Sequence, residues 1–227
     1  MLYFILAESA LELVPEGIRR QPAVVNDAKR RQKDASEMLL DRSFHHTAMA
    51  KLNDPEKRGR PDLVHVTLLN VTGTPLYLDG LVRLFVHTYD DVVLEIAEKT
   101  RIPKSYLRFR GLMEKALVER PSQGLIRVHS MGVKELQRMV SSEGVFGLSI
   151  QGRMMPLEEL ARKVRAAKNP SVIVGGFPHG HFSPETLLVV DQLVRIDAKP
   201  LEAHVVASRV IYEIEKAGEG STIKSAS

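Results

Sequence analysis

Apolar residues follow two alternating rhythms along the chain. Short apolar runs read as buried strands. They cover residues 2–7, 63–71 (LVHVTLLNV), 81–88 (LVRLFVHT), 125–129, 144–150, 171–174 and the DQLVRI stretch within 187–196. Between them, apolar residues recur at helical spacing. Residues 36–52 carry Met38, Leu39, His46, Met49 and Ala50, and residues 106–117 carry Leu112, Met113, Ala116 and Leu117. Residues 132–141 also read as a helix, as do 155–167, with Pro156 at the start. In 201–216 the residues Val205, Val206, Val210, Ile211 and Ile214 form one apolar stripe. Ser9 and Glu12 have capping-box spacing, so a helix is expected after the first strand. Residues 23–33 are polar and basic and read as a mobile insertion, and 218–227 (GEGSTIKSAS) as a disordered tail.

Strands alternating with helices predict an α/β fold whose mostly parallel sheet is covered by helices on both faces. No internal repeat and no linker interrupts the pattern. One domain over 1–217 followed by the tail is the expected organisation.

Composition narrows the chemistry. Of 227 residues, 44% are hydrophobic, enough for a globular core. No apolar run approaches the ~20 residues that span a bilayer, so no membrane partner is expected. The opening run has no basic segment before it, and Glu8 and Glu12 follow at once. It reads as a strand and not as a signal peptide, which points to a cytoplasmic protein. The absence of cysteine removes disulfides, thiolate metal sites and cysteine nucleophiles. A net charge of +4 is a mild bias toward polyanionic partners. The chain has no G-x-G-x-x-G, no P-loop, no G-x-S-x-G elbow and no H-E-x-x-H, so a bound nucleoside cofactor must be held in another way. His45-His46 and His179/His181 are pairs without an obvious third ligand, and no metal is expected.

Four short constellations carry the functional argument. In Arg58-Gly59-Arg60-Pro61-Asp62, the proline stiffens a turn ahead of the apolar run. Asp62 is placed to hold the Arg60 guanidinium in a bidentate pair; a solvated turn with a surface ion pair reads equally well. In Arg101-Ile102-Pro103-Lys104-Ser105-Tyr106-Leu107-Arg108, Pro103 suits a first helical turn. Lys104 and Arg108 would then share a face with Arg101 at the helix entrance. Such a patch suits phosphate, although it could equally be a solvated face. Tyr106 and Phe109 suit either base stacking or the core. In 172–180 (VIVGGFPHG), a buried strand runs into Gly175 and Gly176 with Gly180 shortly after, a loop able to wrap a small molecule with main-chain groups or simply a tight turn. In 196–201 (IDAKPL), a strand ends and a helix begins, leaving backbone groups free for an adenine edge.

In this order, the blocks ILAESALELVP, FHHTAMAKL, RGRPDLVHVTLLN, VHTYDD, TRIPKSYLRFRGLMEKAL and VIVGGFPHG resemble the SPOUT-class pseudouridine-N1-specific methyltransferases required for small-subunit ribosome assembly. The resemblance covers nearly the whole chain up to the C-terminal helix. It implies a SPOUT-type fold with a C-terminal trefoil knot, a rare exception to unknotted topology. It also implies a homodimer, S-adenosyl-L-methionine as cofactor and small-subunit rRNA as partner. By the same matching, the cofactor loops hold Ile150, Gly152, Gly175, Gly176, Gly180, Ile196, Asp197, Ala198, Lys199, Pro200 and Leu201. Arg60 contacts RNA and serves catalysis, and Asp62 orients Arg60. Arg101, Lys104 and Arg108 bind the RNA. Lys104 stands where many members carry arginine, which keeps the charge but not the planar fork.

Such an enzyme needs no nucleophile of its own. It must align a base nitrogen with the sulfonium methyl, exclude water and help the nitrogen lose its proton. Arg60 suits that last task, and Asp62 is a candidate proton acceptor or an orienting group. Two rivals keep the same surface: a non-catalytic rRNA-binding assembly factor, and a SPOUT methyltransferase with another RNA target.

Overall fold

The structure, a computed structural model, describes residues 1–222. Seven strands form one sheet: β1 (Leu2–Ser9), β2 (Val82–Thr88), β3 (Val92–Ile96), β4 (Ile126–Ser130), β5 (Val145–Met154), β6 (Ser171–Gly175) and β7 (Gln192–Arg195). Their order across the sheet is β4-β3-β2-β1-β6-β5-β7. The pairs from β2 through β1, β6 and β5 to β7 are parallel, and β2–β3 and β3–β4 are antiparallel. The mostly parallel α/β sheet is therefore as expected. Nine helices accompany it among the described residues: α1 (Pro22–Arg31), α2 (Arg42–Met49), α3 (Pro61–Thr72), α4 (Pro75–Leu78), α5 (Tyr106–Glu119), α6 (Val133–Val140), α7 (Leu157–Ala166), α8 (Pro184–Leu187) and α9 (Ala203–Thr222).

The two-residue period of the strands sorts their side chains into two cores. Phe4, Leu6, Leu84, Val86, Val172 and Val174 pack on one face with α3, α5, α7 and α9. Ile5, Ala7, Phe85 and Ile173 pack on the other face with Leu136 and Val140 of α6. Burying one such side chain contributes roughly 1.5–3 kcal/mol, so a register slip in β1 would strand several at once.

Several local expectations are corrected. The run 63–71 is not a strand but most of α3. Pro61 opens this helix, and Val64, Leu68 and Val71 lie on one face of it. The helix is also apolar elsewhere, which hides its period. Ser9 caps no helix: it ends β1, and its Oγ donates to the Leu6 carbonyl. The single helix expected over 36–52 is instead a 3-10 turn at Ala35–Glu37, an extended step pairing Leu39 with Leu13, and α2. Asp41 starts α2 by accepting the Ser43 amide at 2.9 Å, a cap that overrides the preceding apolar residues.

The basic stretch 23–33 is no loose insertion. Most of it is α1, and the helix end and the residues after it are tied down by charge. Arg31 and Lys33 donate to the buried Glu114 of α5 at 2.7 and 2.9 Å, and Leu39 N–H reaches its other oxygen at 3.0 Å. Val14, Ile18, Val24, Met38, Leu40 and Met49 give this unit its own small core. The tail expected from Gly218 begins inside α9, and residues 223–227 lie outside the described residues. Among the described residues no helix is long and apolar enough to cross a membrane.

Candidate active site

Because β5, β6 and β7 run parallel, their carboxyl ends share one edge of the sheet, the usual place for a ligand in such folds. A cavity of about 340 Å³ lies there. Ser149 and Ile150 of β5, Gly175 at the end of β6, the 177–182 loop, residues 194–197 at the end of β7 and the start of α9 line it. Leu63 of α3 closes it from the side. The size falls within the roughly 300–1,000 Å³ of small-molecule sites, and apolar walls with a few polar groups are typical of them.

Of the residues assigned to the cofactor loops by sequence, Ile150, Gly175, Gly180, Ile196, Asp197, Lys199, Pro200 and Leu201 line this cavity. Gly152, Gly176 and Ala198 lie off it. Gly152 faces the β7 backbone, and a Cβ there would meet Val194 N at 2.5 Å. Gly176 packs against β1: its N–H donates to Ala7 O at 2.8 Å, and a Cβ would meet Ser9 Cα at 2.8 Å. These two glycines permit close chain approach. Gly175 is different, because its Cβ would meet the Phe177 ring at 2.8 Å and displace a wall of the cavity.

The 196–201 loop is shaped by Asp197. Its carboxylate accepts the Lys199 amide at 3.0 Å and pairs with Arg209 of α9 at 2.9 Å. The Lys199 amide and then the Arg209 guanidinium hold it below the usual carboxylate range. Asp197 is thus spent on the loop itself.

Arg60 is the residue before α3, the helix whose Leu63 lines the cavity. Its Nε and Nη2 donate to the two Asp62 oxygens at 2.8 and 2.9 Å, the bidentate pair expected. Arg60 precedes the cavity-lining Leu63 by one turn and lies within electrostatic reach of Glu202, another lining residue. The Asp62 hydrogen bonds raise the Arg60 guanidinium above its ordinary value. Burial pushes the Asp62 carboxyl up, but the hydrogen bonds from Arg60 outweigh it and hold Asp62 below the usual range. A carboxylate so held is a poor proton acceptor and a good orienting group. Arg58 is not available to a ligand: it is 8% exposed and donates to both oxygens of the buried Glu12 at 2.8 and 2.5 Å.

A set of exposed cations lies on and just before α5. Arg101, Lys104 and Arg108 are all exposed, and none makes an ion pair or side-chain hydrogen bond among the described residues. The helix begins later than Pro103 suggests, at Tyr106 with Ser105 before it, so Lys104 precedes the helix that carries Arg108. The Pro103 carbonyl is instead paired with His65 Nε2 of α3 at 2.7 Å. That contact joins the 101–105 segment to the helix that Arg60 opens. Phe109 is fully buried and stacks on His65 at 4.4 Å, and the Tyr106 hydroxyl donates to Asp41 at 2.5 Å. Neither ring faces an incoming base.

Among the lining residues that sequence reasoning missed are Leu63, Ser149, Arg195, Glu202, Ala203 and Val206. Leu63 would have been found by reading its run as a helix, since Arg60 and Leu63 then fall on one side. The others carry no local signal, because distant strand ends place them there.

The family profile described as EMG1/NEP1 methyltransferase matches residues 4–215. The chain is 40% identical over 218 residues to the "Ribosomal RNA small subunit methyltransferase Nep1" of Thermococcus onnurineus, covering 95% of this chain and 98% of that one. The protein of that name from Thermococcus kodakarensis is also 40% identical, over 221 residues, with 96% and 99% covered. The crystal structure of Archaeoglobus fulgidus Nep1 bound to S-adenosylhomocysteine superposes with a TM-score of 0.85 at 36% identity, over 96% of this chain and 98% of that one.

Proposed function

Since the chain belongs to the EMG1/NEP1 methyltransferase family, we propose that it methylates N1 of a pseudouridine in small-subunit rRNA, with S-adenosyl-L-methionine as methyl donor, during ribosome assembly. The observation that carries this reading is one juxtaposition. A cavity at the carboxyl ends of three parallel strands is lined by Leu63 of the helix that the oriented Arg60 opens, and the segment carrying Arg101 and Lys104 is tied to that same helix through Pro103 and His65. The relative from Archaeoglobus fulgidus binds S-adenosylhomocysteine, the product left when this donor gives up its methyl. The cavity's size and apolar walls suit such a nucleoside thioether, and Glu202 supplies a carboxylate for a cationic ligand.

The donor supplies a methyl group on a positively charged sulfur, so no enzymic nucleophile is needed. The protein's part is to bind, align and exclude water. Arg101, Lys104 and Arg108 hold the RNA backbone, and the target base leaves its stack to reach the cavity mouth. There the Arg60 guanidinium, fixed by Asp62, favours the deprotonated base nitrogen electrostatically. The nitrogen lone pair forms the new bond as the carbon–sulfur bond breaks, and the nitrogen's proton passes to solvent. Asp62 orients and does not accept it.

The trefoil knot and the homodimer belong to the same proposal. The first is what membership of the family implies, and not the strand order alone, which an unknotted crossover would share. Sedimentation equilibrium tests the second, and a monomer would overturn it. The test of function is a transfer assay with labelled S-adenosylmethionine and a small-subunit rRNA hairpin carrying uridine or pseudouridine at the target. Labelling of the pseudouridine hairpin alone is the expected result. RNA binding without transfer to either would favour a non-catalytic assembly factor, and transfer to another nucleotide would favour a different RNA target.

A further inference from the structure

Glu8 is a buried ionisable residue at the end of an otherwise apolar strand, and the chemistry above makes no use of it. Its φ is 50°, in the left-handed region that residues other than glycine enter at a cost. It sits in the irregular step between the Leu6–Val86 and Ser9–Thr88 pairs of β1 and β2. The conformation is held by its own N–H, which donates to His87 Nδ1 at 3.2 Å. His87 therefore carries its proton on Nε2, 2.9 Å from an Asp91 oxygen.

This backbone turns the Glu8 carboxylate toward the loop that walls the cavity. Oε1 accepts the Ser183 amide at 2.7 Å, and Oε2 accepts from Lys57 Nζ at 2.5 Å. Burial pushes the Glu8 carboxyl up, but hydrogen bonds from Lys57, Thr186 and the Ser183 amide outweigh it and keep it below the usual range. Lys57 in turn supports the near side of the same loop. Its ammonium stands 4.4 Å from the centre of the Phe177 ring. Its methylene chain runs beside Gly180, where a Cβ would meet Lys57 Cε at 3.4 Å. Residues 177–182 all line the cavity, yet neither Glu8 nor Lys57 does.

We propose that Glu8 and Lys57 form a brace that holds the 177–183 loop in its cavity-forming shape, and that these two positioning residues set the affinity for the adenosyl cofactor without touching it. The proposal rests on the cavity being the cofactor site. Strain at Glu8 is understandable on this view, because the carboxylate it presents meets both the Ser183 amide and Lys57.

The test compares the wild-type protein with Glu8→Ala, Glu8→Gln and Lys57→Met. S-adenosylhomocysteine binding is measured by calorimetry, RNA binding by anisotropy, and loop opening by hydrogen exchange of the ligand-free proteins. Glu8→Ala and Lys57→Met are each expected to weaken S-adenosylhomocysteine about tenfold and to speed exchange across 177–183 by a similar factor. Exchange in α5 and RNA affinity should stay at wild-type values. Glu8→Gln keeps an acceptor for the Ser183 amide and should recover part of the affinity. Wild-type loop exchange and cofactor affinity in folded Glu8→Gln and Lys57→Met proteins would overturn the brace. So would faster exchange throughout the sheet with RNA affinity lost in step, which marks a merely structural pair. Failure of the wild-type protein to bind S-adenosylhomocysteine would overturn the cavity's assignment; the exchange comparison needs no ligand and keeps that failure distinct.

Discussion

The cavity and the cationic face near the starts of α3 and α5 are made of different material. The cavity is assembled from strand ends and loops, and the carboxylate in its 196–201 loop is already occupied: Asp197 holds Arg209 and the Lys199 amide. The face is assembled from side chains near the starts of α3 and α5, and Arg101, Lys104 and Arg108 have no protein partner among the described residues. A site built from backbone is sensitive to where the chain runs and tolerant of many side-chain changes. A site built from free cations is the reverse. The two therefore should fail separately, under different substitutions and in different assays.

The sharpest way to break this contrast is at Arg60, which opens the helix whose Leu63 lines the cavity. Arg60→Ala should lower single-turnover methyl transfer by about 10²–10³-fold, the usual loss when one preorganised electrostatic group is removed. S-adenosylhomocysteine affinity, read by calorimetry, should stay within about twofold, a difference of under ~0.5 kcal/mol. Equal loss of both would mean that Arg60 belongs to the cavity. The mirror experiment is Gly175→Ala. Its new methyl must displace the Phe177 ring, and cofactor binding should weaken about tenfold while RNA affinity holds. Gly176→Val is the less informative change. Its side chain would strike Ser9 and β1 rather than enter the cavity, so it should lower thermal stability along with cofactor binding. Smaller still are the single cations. Arg101→Ala, Lys104→Ala and Arg108→Ala should each weaken RNA binding several-fold and reduce the slope of log affinity against log salt by about 0.7–0.9, one phosphate contact each. An unchanged slope would remove that residue from the interface.

How much of this was legible in the sequence follows the same division. Arg60 and Asp62 are two residues apart, so their pairing is a local matter and could be read directly. The strands β1, β2 and β6 are short apolar runs with punctuated ends, and they were read correctly. The helix α3 was not, because Leu63 faces the cavity while Val64, Leu68 and Val71 face the sheet; apolar residues on two sides erase the period that distinguishes a helix. Glycine pairs announce close approach but not its direction. Gly175 faces the cavity wall, whereas Gly176 and Gly152 face neighbouring backbone. Glu8 and Lys57 are 49 positions apart, and Glu8 and Ser183 are 175 apart. No window along the chain contains such a contact, so a support of this kind becomes visible only once the fold is assembled.

The smallest expected effect tests what stands behind the cationic face. The α1–α2 unit supports α5 through the Tyr106–Asp41 contact and through Glu114, which Arg31, Lys33 and the Leu39 amide hold. At its centre His45 is fully buried, and its Nδ1 accepts the Asp41 amide at 3.1 Å, which leaves the other nitrogen facing Asp27 at 3.4 Å. Burial pushes the His45 imidazole below its ordinary value, and the neighbouring Asp27 and Asp41 only partly oppose this. The unfolded chain takes up its proton near pH 6.5. Above that pH neither state is protonated and His45 makes no pH-dependent contribution. As the pH falls below it, the unfolded state binds a proton that the folded state does not, and stability declines until the lowered folded pKa is reached. Hydrogen exchange at pH 7.5 and 5.5, corrected for intrinsic rates, should show α1 and α2 opening more readily in acid. The strand ends around the cavity, outside the small core into which α2 packs, should be unaffected. His45→Gln should flatten the change in the helices. If the cavity strands loosen in parallel, or if the variant keeps the wild-type response, the acid sensitivity lies elsewhere, and the support for the cationic face is not the separable unit its contacts describe.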